Sequence, residues 1–400
     1  SGEASERITK LVFNIIGYTK GKYMKVCHIT SVHSYNDVRI FVKECQSLAA
    51  AGNQVHLVAP NAPTEQVNGV FIHGISKTQG NRFSRMTRTV RAVYKKAKKI
   101  DADIYHFHDP ELIPIGILLK LKGKKVIYDV HEDLPLQIYR KPYIPNSIKK
   151  LVSIFIHVGE KNASRVFDLL ICATPHISHK FKNYNNRNLT IKNYPRMDWE
   201  LNPLNTKLSE EPYVCYIGGL SADRGLPAMH EAIQSTGCRL YLAGKFFSQK
   251  DKEMFGHDEA GQVRYLGFLD KNEVRDLLNH SLAGLVVLEE NDAFKYSLPV
   301  KMFEYMSAGI PVICSNFPLW REIVEKHHCG ICVNPSDVDE IAHAIQFLYE
   351  NQEEAKRMGR NGRRAAETEY NWETESQNLI EAYRGLFDKR TMTNHSEMRF

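Results

Sequence analysis

Residues 213–226 read YVCYIGGLSADRGL, and this stretch contains the repeating unit that decides the fold. The apolar run Tyr213–Ile217 has the length of a buried strand, and Gly218 and Gly219 follow it as a turn. Glycines let a backbone approach phosphate oxygens, and Arg224 adds charge-assisted donors before a helical pattern begins. A plain turn is the alternative interpretation of the glycine pair. The order of strand, glycine turn and helix is typical of a parallel βαβ unit.

The same alternation of short apolar runs and amphipathic stretches extends over both halves of the chain. Further strands are predicted at 24–30, 54–58, 104–107, 125–128, 169–173, 240–243, 263–266, 284–288 and 311–315. This alternation predicts an α/β fold with two doubly wound, Rossmann-like domains that face a cleft. The expected domains are residues 24–195 and 196–370, joined by a proline-containing linker. A helix at 371–388 is expected to cross back to the first domain.

Composition and length indicate a globular chain of two or three domains. The 400 residues are 43% hydrophobic, and no apolar run approaches the roughly 20 residues of a membrane helix. The eight cysteines are scattered through apolar runs, which favours a reducing compartment without a disulfide framework. No small-residue cleavage site follows the short apolar stretch near the N-terminus. We therefore expect a cytoplasmic protein.

Charge is distributed unevenly between the two halves. Residues 1–195 carry 30 Lys and Arg against 14 Asp and Glu, whereas residues 196–400 carry 23 against 32. A basic first half predicts an anionic partner, and we expect peripheral attachment to the anionic inner face of the cell membrane. Nucleic acid is not expected as a partner, because the aromatic residues of a base-stacking platform are missing.

Two predicted helices of the first half bear on this membrane hypothesis. Arg82–Ile100 has basic residues on its outer faces and apolar residues at helical spacing on one face. The apolar positions are Phe83, Met86, Val90, Val93, Ala97 and Ile100. Ser147–Val158 is apolar nearly all round, so it is either a buried helix or a lipid-facing one.

Residues 297–313, SLPVKMFEYMSAGIPVI, predict a short helix whose N-terminus can hold an anion. Ser297 is expected to be the N-cap, and Gly309 to end the helix. Lys301 and Glu304 are three residues apart and share a face. Lys301 can therefore reach a phosphate while Glu304 accepts from ribose hydroxyls. The alternative is a capped surface helix with an ion pair between these two side chains.

Two segments contain residues that can bind metals, but neither predicts a metal site. Asp101 and Asp103 lie at the amino end of a predicted strand, away from the cleft. His327–Cys332 has no second ligand pair nearby and is better explained as a turn into a strand. We therefore predict no bound metal.

Five segments, in this order, carry a resemblance to a known family: His33–Ile40, His106–Leu112, Tyr128–Asp133, Gly218–Gly225 and Ser297–Ile313. The chain resembles the retaining glycosyltransferases of family four, which have the GT-B fold, and most of all those that build bacterial surface polysaccharides. The resemblance implies transfer of a sugar from a nucleotide diphosphate sugar to a lipid-linked or growing glycan, with retention of configuration. A UDP-sugar is favoured over a GDP-sugar as donor. No cofactor or metal is implied, because fixed cations and helix amides offset the charge of the leaving diphosphate.

The resemblance also assigns roles to donor-site residues. Glu304 matches the ribose-binding glutamate of the family, and Arg224 matches its diphosphate ligand. Phe268 lies in the loop that packs on the base, and backbone amides around Ser297 and Leu298 can hold the sugar. The resemblance thus implies a donor site built from the second domain.

On the acceptor side, the resemblance matches His108 to a histidine close to the donor sugar. Asp37 and Glu132 sit at predicted strand ends that face the cleft. Either carboxylate can orient or deprotonate the acceptor hydroxyl.

Two positions depart from the family pattern. Tyr296 stands eight residues before Glu304, where the family often has a glutamate that contacts the donor sugar. Gly219 stands where an arginine is common. Both departures leave the identity of the donor sugar open.

Two other functions stay open at this point. A non-hydrolysing sugar-nucleotide epimerase shares the expected architecture, but it would not release a nucleoside diphosphate when an acceptor is added. A non-catalytic subunit that binds a nucleotide sugar is the other alternative, and Tyr296 is the feature that favours it.

Overall fold

The computed structural model describes residues 23–76, 82–139, 144–197, 211–255 and 261–387. Most of the predicted linker lies outside these ranges. The side chains of Phe83 and Met86 in the predicted basic helix also lie outside the described part.

The first sheet has eight strands in the order β3-β4-β2-β1-β5-β6-β7-β8. All neighbouring strands are parallel except β3 and β4, which are antiparallel. The strands are β1 Lys25–Ile29, β2 Gln54–Pro60, β3 Glu65–Val67, β4 Val70–Ile75, β5 Ile104–Phe107, β6 Lys125–Val130, β7 Leu169–Cys172 and β8 Asn188–Thr190.

The second sheet has six parallel strands in the order β11-β10-β9-β12-β13-β14. Its strands are β9 Tyr213–Ile217, β10 Arg239–Ala243, β11 Val263–Gly267, β12 Ala283–Val286, β13 Val312–Ser315 and β14 Gly330–Val333. The predicted α/β class with two doubly wound sheets is confirmed.

Helices connect the strands and cover both faces of the sheets. Those of the first half are α1 Val38–Cys45, which is π-helical, α2 Gln46–Ala50, α3 Arg82–Ile100, α4 Ile113–Leu121, α5 Leu134–Tyr139, α6 Asn146–Ser164 and α7 Pro175–Lys182. Those of the second half are α8 Leu226–Ile233, α9 Gln249–Phe255, α10 Lys271–Asn279, α11 Asp292–Lys295, α12 Val300–Ala308, α13 Pro318–His327, α14 Val338–Glu350, α15 Gln352–Thr368 and α16 Trp372–Gly385.

Helix α16 packs on the first sheet although it follows the second one in sequence. Trp372, Leu379 and Tyr383 belong to the same buried cluster as residues of β1, β2 and α1. The indole Nε1 of Trp372 also donates to Oγ of Ser47 at 2.9 Å. The last helix therefore ties the chain's end to its first strands.

In both sheets the strand order reverses at one point, between β1 and β5 and between β9 and β12. In parallel sheets, ligands bind outside the carboxyl ends of the strands at such switch points. The loops that follow these four strands therefore define where the functional site is expected.

The two helices named for the membrane hypothesis have different environments. In α3 the apolar side of Val93, Ala97 and Ile100 is buried while Arg91 and Lys95 are exposed. In α6, five apolar side chains are more than two-fifths exposed: Ile148, Leu151, Ile154, Phe155 and Val158. Helix α6 is therefore not a buried helix. Within the described ranges, no helix combines the length and apolarity that crossing a membrane requires.

Candidate donor and acceptor site

The donor side is centred on Lys301, in the first turn of α12. Its Nζ atom is buried, lies 3.6 Å from the ring centroid of Tyr216 and has no hydrogen-bond partner among the described residues. Burial, and then the neighbouring Arg224, lower the pKa of Lys301 well below its usual value. A buried ammonium with free donors needs an anionic ligand to satisfy it.

The glycine turn after β9 lies directly against this lysine. Gly218 has a φ of 138°, and a Cβ atom there would come within 2.9 Å of Nζ of Lys301. Nε of Arg224, in the turn that follows, is also buried without a hydrogen-bond partner in the described part of the chain. The guanidinium of Arg224 lies 5.4 Å from the Phe247 ring and 5.7 Å from the Phe294 ring. Two cations with unsatisfied donors thus flank a glycine turn that leaves room for a ligand.

Gly219 lies directly against the ring of Phe247. A Cβ atom at Gly219 would lie 2.4 Å from the ring of Phe247. Any side chain would therefore require this ring to move. The aromatic ring occupies the position that a longer residue would need.

Glu304 lies one turn of α12 beyond Lys301. Burial raises its pKa, and the positive charges of Lys43 and Lys301 offset part of that increase. Lys43 belongs to α1 of the first domain, and its Nζ also donates to Oδ1 of Asn193 at 2.6 Å. Glu304 thus interacts electrostatically with a lysine from each domain, Lys43 and Lys301.

The predicted N-cap of this helix is wrong. Helix α12 begins at Val300, and Pro299 occupies the N-cap position without a side-chain cap bond. Ser297 lies before the helix, where its hydroxyl donates to the carbonyl of Phe294 at 2.8 Å. Trp320 donates its Nε1 to the carbonyl of Ser297 at 2.8 Å. Because no side chain caps the helix start, its first amides are left for a ligand. The predicted end is correct, since Gly309 has a φ of 75°.

The first domain contributes a buried network beneath the cleft. His108 is 3% exposed, and its Nδ1 lies 3.1 Å from Asp129 while its Nε2 lies 3.0 Å from Nδ1 of His28. Arg39 donates to both oxygens of Asp129, at 3.0 and 3.2 Å. Although burial raises the pKa of Asp129, the Arg39 guanidinium holds it well below its usual range. His108 is therefore fixed from both sides by groups of its own domain.

Asp37 is held at the start of α1. Its Oδ1 accepts from the amides of Arg39 and Ile40, both at 2.9 Å, so it is the N-cap. Its Oδ2 lies 3.6 Å from Nδ1 of His33, and the pKa of Asp37 falls to about 2 although burial opposes this. The hydrogen bond to Asp37 raises the pKa of His33 in turn. Glu132, in contrast, is exposed.

Tyr296 makes a contact that the sequence did not indicate. Its ring stacks on the imidazole of His176, with centroids 4.4 Å apart and planes 7° from parallel. His176 lies in α7 of the first domain, so the pair bridges the cleft. The position of the family's sugar-binding glutamate is thus occupied here by a bridge between domains.

A cavity of about 1840 Å³ fills the cleft between the sheets. It exceeds the roughly 300–1,000 Å³ of a pocket for one small ligand, so it can hold a donor and part of an acceptor. Six of the predicted site residues line it: His108, Glu132, Arg224, Ser297, Leu298 and Lys301. The others, Asp37, Gly218, Gly219, Phe268 and Glu304, lie outside its lining.

Sequence reasoning missed the network of Arg39, Asp129 and His28, as well as His176. Arg39 and Asp129 lie within the segments that carried the family resemblance, so those segments were the available signal. Phe268 is 87% exposed in the loop after β11, where its ring is free to stack on a base.

Comparison with known proteins identifies the family. The family described as Glycosyltransferase Family 4 matches residues 38–191, and that described as Glycosyl transferases group 1 matches residues 198–365. The chain belongs to glycosyltransferase family four. Each of its two domains thus carries one of the family's two halves.

Two relatives are sugar transferases by name. O-antigen chain mannosyltransferase B of Escherichia coli is 29% identical over 206 residues, which span only about half of each protein, 48% of this chain and 51% of the relative. D-rhamnosyltransferase WbpZ of Pseudomonas aeruginosa is 21% identical over 84% of this chain and 90% of its own length.

A solved structure shares the fold of this family-four chain. HepE from Anabaena, in complex with UDP and glucose, is 14% identical and has a TM-score of 0.66 over 91% of this chain and all of its own. At this identity the likeness shows the fold alone. The GT-B fold expected from the resemblance is confirmed.

Proposed function

We propose that this family-four glycosyltransferase moves a hexose from a nucleotide diphosphate sugar to a hydroxyl of a lipid-linked or growing surface glycan, with retention of configuration. The observation that carries the proposal is a pair of cationic side chains, Lys301 and Arg224, beside an uncapped helix start; each has a buried nitrogen donor without a hydrogen-bond partner among the described residues. That arrangement matches a diphosphate, whose charge grows as the sugar leaves. The two named relatives favour transfer over epimerisation or a non-catalytic role.

The remaining donor contacts follow from the surroundings of this cation pair. Glu304 binds the ribose hydroxyls, Phe268 stacks on the base, and the amides at Ser297 and Leu298 hold the sugar. The Gly218 and Gly219 turn admits the diphosphate. We retain a UDP-sugar as the favoured donor over a GDP-sugar, as in the resemblance to the family.

The acceptor enters from the first-domain side of the cleft. In this proposal exposed Glu132 accepts a proton from the acceptor hydroxyl, and Asp37 acts through His33. His108 forms part of the cleft floor, where the resemblance places the donor sugar. No metal is needed for the transfer, because Lys301, Arg224 and the helix amides supply the positive charge.

The exposed apolar face of α6 supports an acceptor held at a membrane. Leu151 and Phe155 of α6 are 69% and 80% exposed, and Arg91 and Lys95 of α3 in the same domain are also exposed. A domain that exposes both apolar and cationic side chains is suited to an anionic bilayer surface. The protein then works as a cytoplasmic, peripheral protein on the inner face of the membrane.

The donor assignment is tested by thermal shift with UDP-, GDP- and ADP-sugars, followed by an assay for nucleoside diphosphate release. We expect a rise in Tm with a UDP-sugar, and release of UDP that depends on an added acceptor. Stabilisation by none of the three nucleotides would refute the donor site. Release of no nucleotide despite binding would favour the non-catalytic alternative.

The membrane assignment is tested separately by flotation with phosphatidylglycerol vesicles at low salt. The double variant Leu151→Ser with Phe155→Ser should lose flotation, whereas the control Phe247→Ser, an exposed residue of the second domain, should retain it. Equal flotation of both variants would contradict the assignment of α6.

A further inference from the structure

Four metal-ligand side chains converge beneath the cleft floor. They are His28 in β1, Glu44 in α1, and His106 and His108 at the end of β5. One ligand atom from each lies within 4.8 Å of the other three. All four residues are at most 3% exposed. They come from positions up to 80 residues apart in sequence, so only the fold assembles them.

Three ligand atoms of this cluster have no hydrogen-bond partner. Both carboxylate oxygens of Glu44 and Nε2 of His106 are buried without one in the part of the chain that the structure describes, while Nδ1 of His28 and Nε2 of His108 lie 3.0 Å apart. Oε2 of Glu44 lies 3.9 Å from Nδ1 of His28 and 4.0 Å from Nε2 of His108. These distances are too long for hydrogen bonds. Ligands of a tetrahedral zinc ion, each about 2.0–2.1 Å from the metal, are roughly 3.3 Å apart, so a small contraction closes the site.

The charges around the cluster favour a bound cation. Arg39 is the guanidinium shared between two buried carboxylates, Asp129 and Glu44. Its N–H groups donate to Asp129, although its Nε lies 3.1 Å from Oε1 of Glu44. One cation for two carboxylates leaves an excess negative charge away from water, which is costly unless it is neutralised.

The histidines also have the outer contacts that metal-bound histidines need. Nδ1 of His108 lies 3.1 Å from the Asp129 carboxylate. Nε2 of His28 lies 3.2 Å from Oη of Tyr383, and the same hydroxyl lies 2.6 Å from Nδ1 of His106. A carboxylate or hydroxyl on the far nitrogen fixes the ring and the tautomer of a ligand.

We propose that His28, Glu44, His106 and His108 bind a structural divalent transition metal ion of the zinc type. The ion joins β1, α1 and β5 and holds the cleft floor in place. It takes no part in the transfer step, so this proposal does not depend on the proposed function.

The competing explanation is that Glu44 is protonated, which also removes the excess negative charge. Burial, followed by the charge of Asp129, raises the pKa of Glu44 well above its usual value, and burial lowers the pKa of His28 and His106. A protonated Glu44 can donate to Asp129, but it leaves Nε2 of His106 without a hydrogen-bond partner among the described residues, whereas a metal ion satisfies all four ligands. Neutral imidazoles are also the form that binds metals.

The test measures zinc by mass spectrometry in the full chain, produced with zinc supplementation, freed of any histidine tag and dialysed against a chelator. We expect about one zinc ion per chain in the wild type and less than about 0.1 in Glu44→Gln, which imitates the protonated side chain. Two controls should keep their zinc: Cys332→Ser removes a thiol 3.8 Å from that of Cys314, and His73→Gln removes a separate histidine pair with His56.

X-ray absorption of the wild type should show nitrogen and oxygen ligands at about 2.0–2.1 Å and no sulfur. A wild-type chain that contains no zinc and gains no thermal stability from added zinc overturns the proposal, whether or not the variants fold. So does zinc that survives in Glu44→Gln, or zinc that is lost in Cys332→Ser. Donor binding is measured independently, so failure of one proposal leaves the other intact.

Discussion

Replacing Lys301 with Met should stabilise the unliganded protein and weaken donor binding at the same time. The ammonium is buried without a hydrogen-bond partner among the described residues, while Met keeps the length of the chain and removes the charge. Leaving a buried donor unsatisfied costs about 1–3 kcal/mol, and this cost disappears in K301M. For a domain of this size each kcal/mol raises Tm by about 2–4 °C.

Donor affinity should change in the opposite direction. A charge-assisted hydrogen bond to a phosphate contributes about 1.5–3 kcal/mol, which corresponds to a roughly 10- to 150-fold increase in Kd. Differential scanning fluorimetry gives the Tm of the unliganded protein, and isothermal titration with UDP gives the Kd. Lys295→Met is the matched control, because Lys295 pairs with Glu290 at 3.2 Å outside the cavity lining. That variant should keep the wild-type Tm and Kd.

The pH dependence gives a third measurement on the same variant. The folded state lowers the pKa of Lys301 well below its usual 10.5, so unfolding takes up a proton between the two values. Wild-type stability therefore increases with pH through this interval, and the advantage of K301M shrinks toward pH 10.5. A lower Tm for K301M, together with a Kd within twofold of the wild type, would refute the assignment of Lys301 to the diphosphate.

Three further predictions concern neighbouring groups. Glu304→Gln should weaken UDP binding by roughly 10-fold or more and abolish the preference for UDP over 2′-deoxy-UDP. Calorimetry with both ligands measures this preference, and a preserved preference would contradict ribose binding by Glu304. Asp37→Asn keeps the cap acceptor but loses the charge pair with His33. It should cost roughly 1–2 kcal/mol at neutral pH, since partial exposure of both groups reduces the full free-energy equivalent of the lowered pKa. The pKa of Asp37 is about 2 in the folded state and 3.8 in the unfolded state, so this cost should fade as the pH falls from 4 toward 2. Urea unfolding across this pH range measures it, and a cost independent of pH would argue against the charge pair. Tyr296→Glu should break the stack on His176 and change the order of preference in the sugar panel, whereas an unchanged order would show that this position does not select the sugar.

Local pattern was sufficient to predict most strands and the fold class. Apolar runs of strand length, each followed by a turn or a helical pattern, specify parallel strands because both faces of such strands are buried. The end of α12 at Gly309 was predictable for a similar reason, since a residue at φ 75° favours glycine. The beginning of that helix was not predictable. Ser297 is a suitable N-cap residue, but Pro299, two positions later, takes the N-cap position through its backbone.

Contacts between distant segments could not be predicted from the sequence. Helix α6 could be buried or exposed on its sequence alone, since apolar residues occur on all its sides, and only the positions of its neighbours leave Leu151 and Phe155 uncovered. The stack of Tyr296 on His176 likewise depends on how the domains meet.

The sequence by itself determined that this protein has two α/β domains of family four and that Lys301, Glu304 and Arg224 lie near a helix start. These properties follow from spacing along the chain, which short-range geometry converts directly into strands, turns and helix faces. Tertiary structure alone decided that Nζ of Lys301 and Nε of Arg224 have no hydrogen-bond partner among the described residues, and that His28, Glu44, His106 and His108 share one buried centre. Whether a charged group is satisfied depends on what the fold brings near it and on the exclusion of water, and neither is encoded in any single segment.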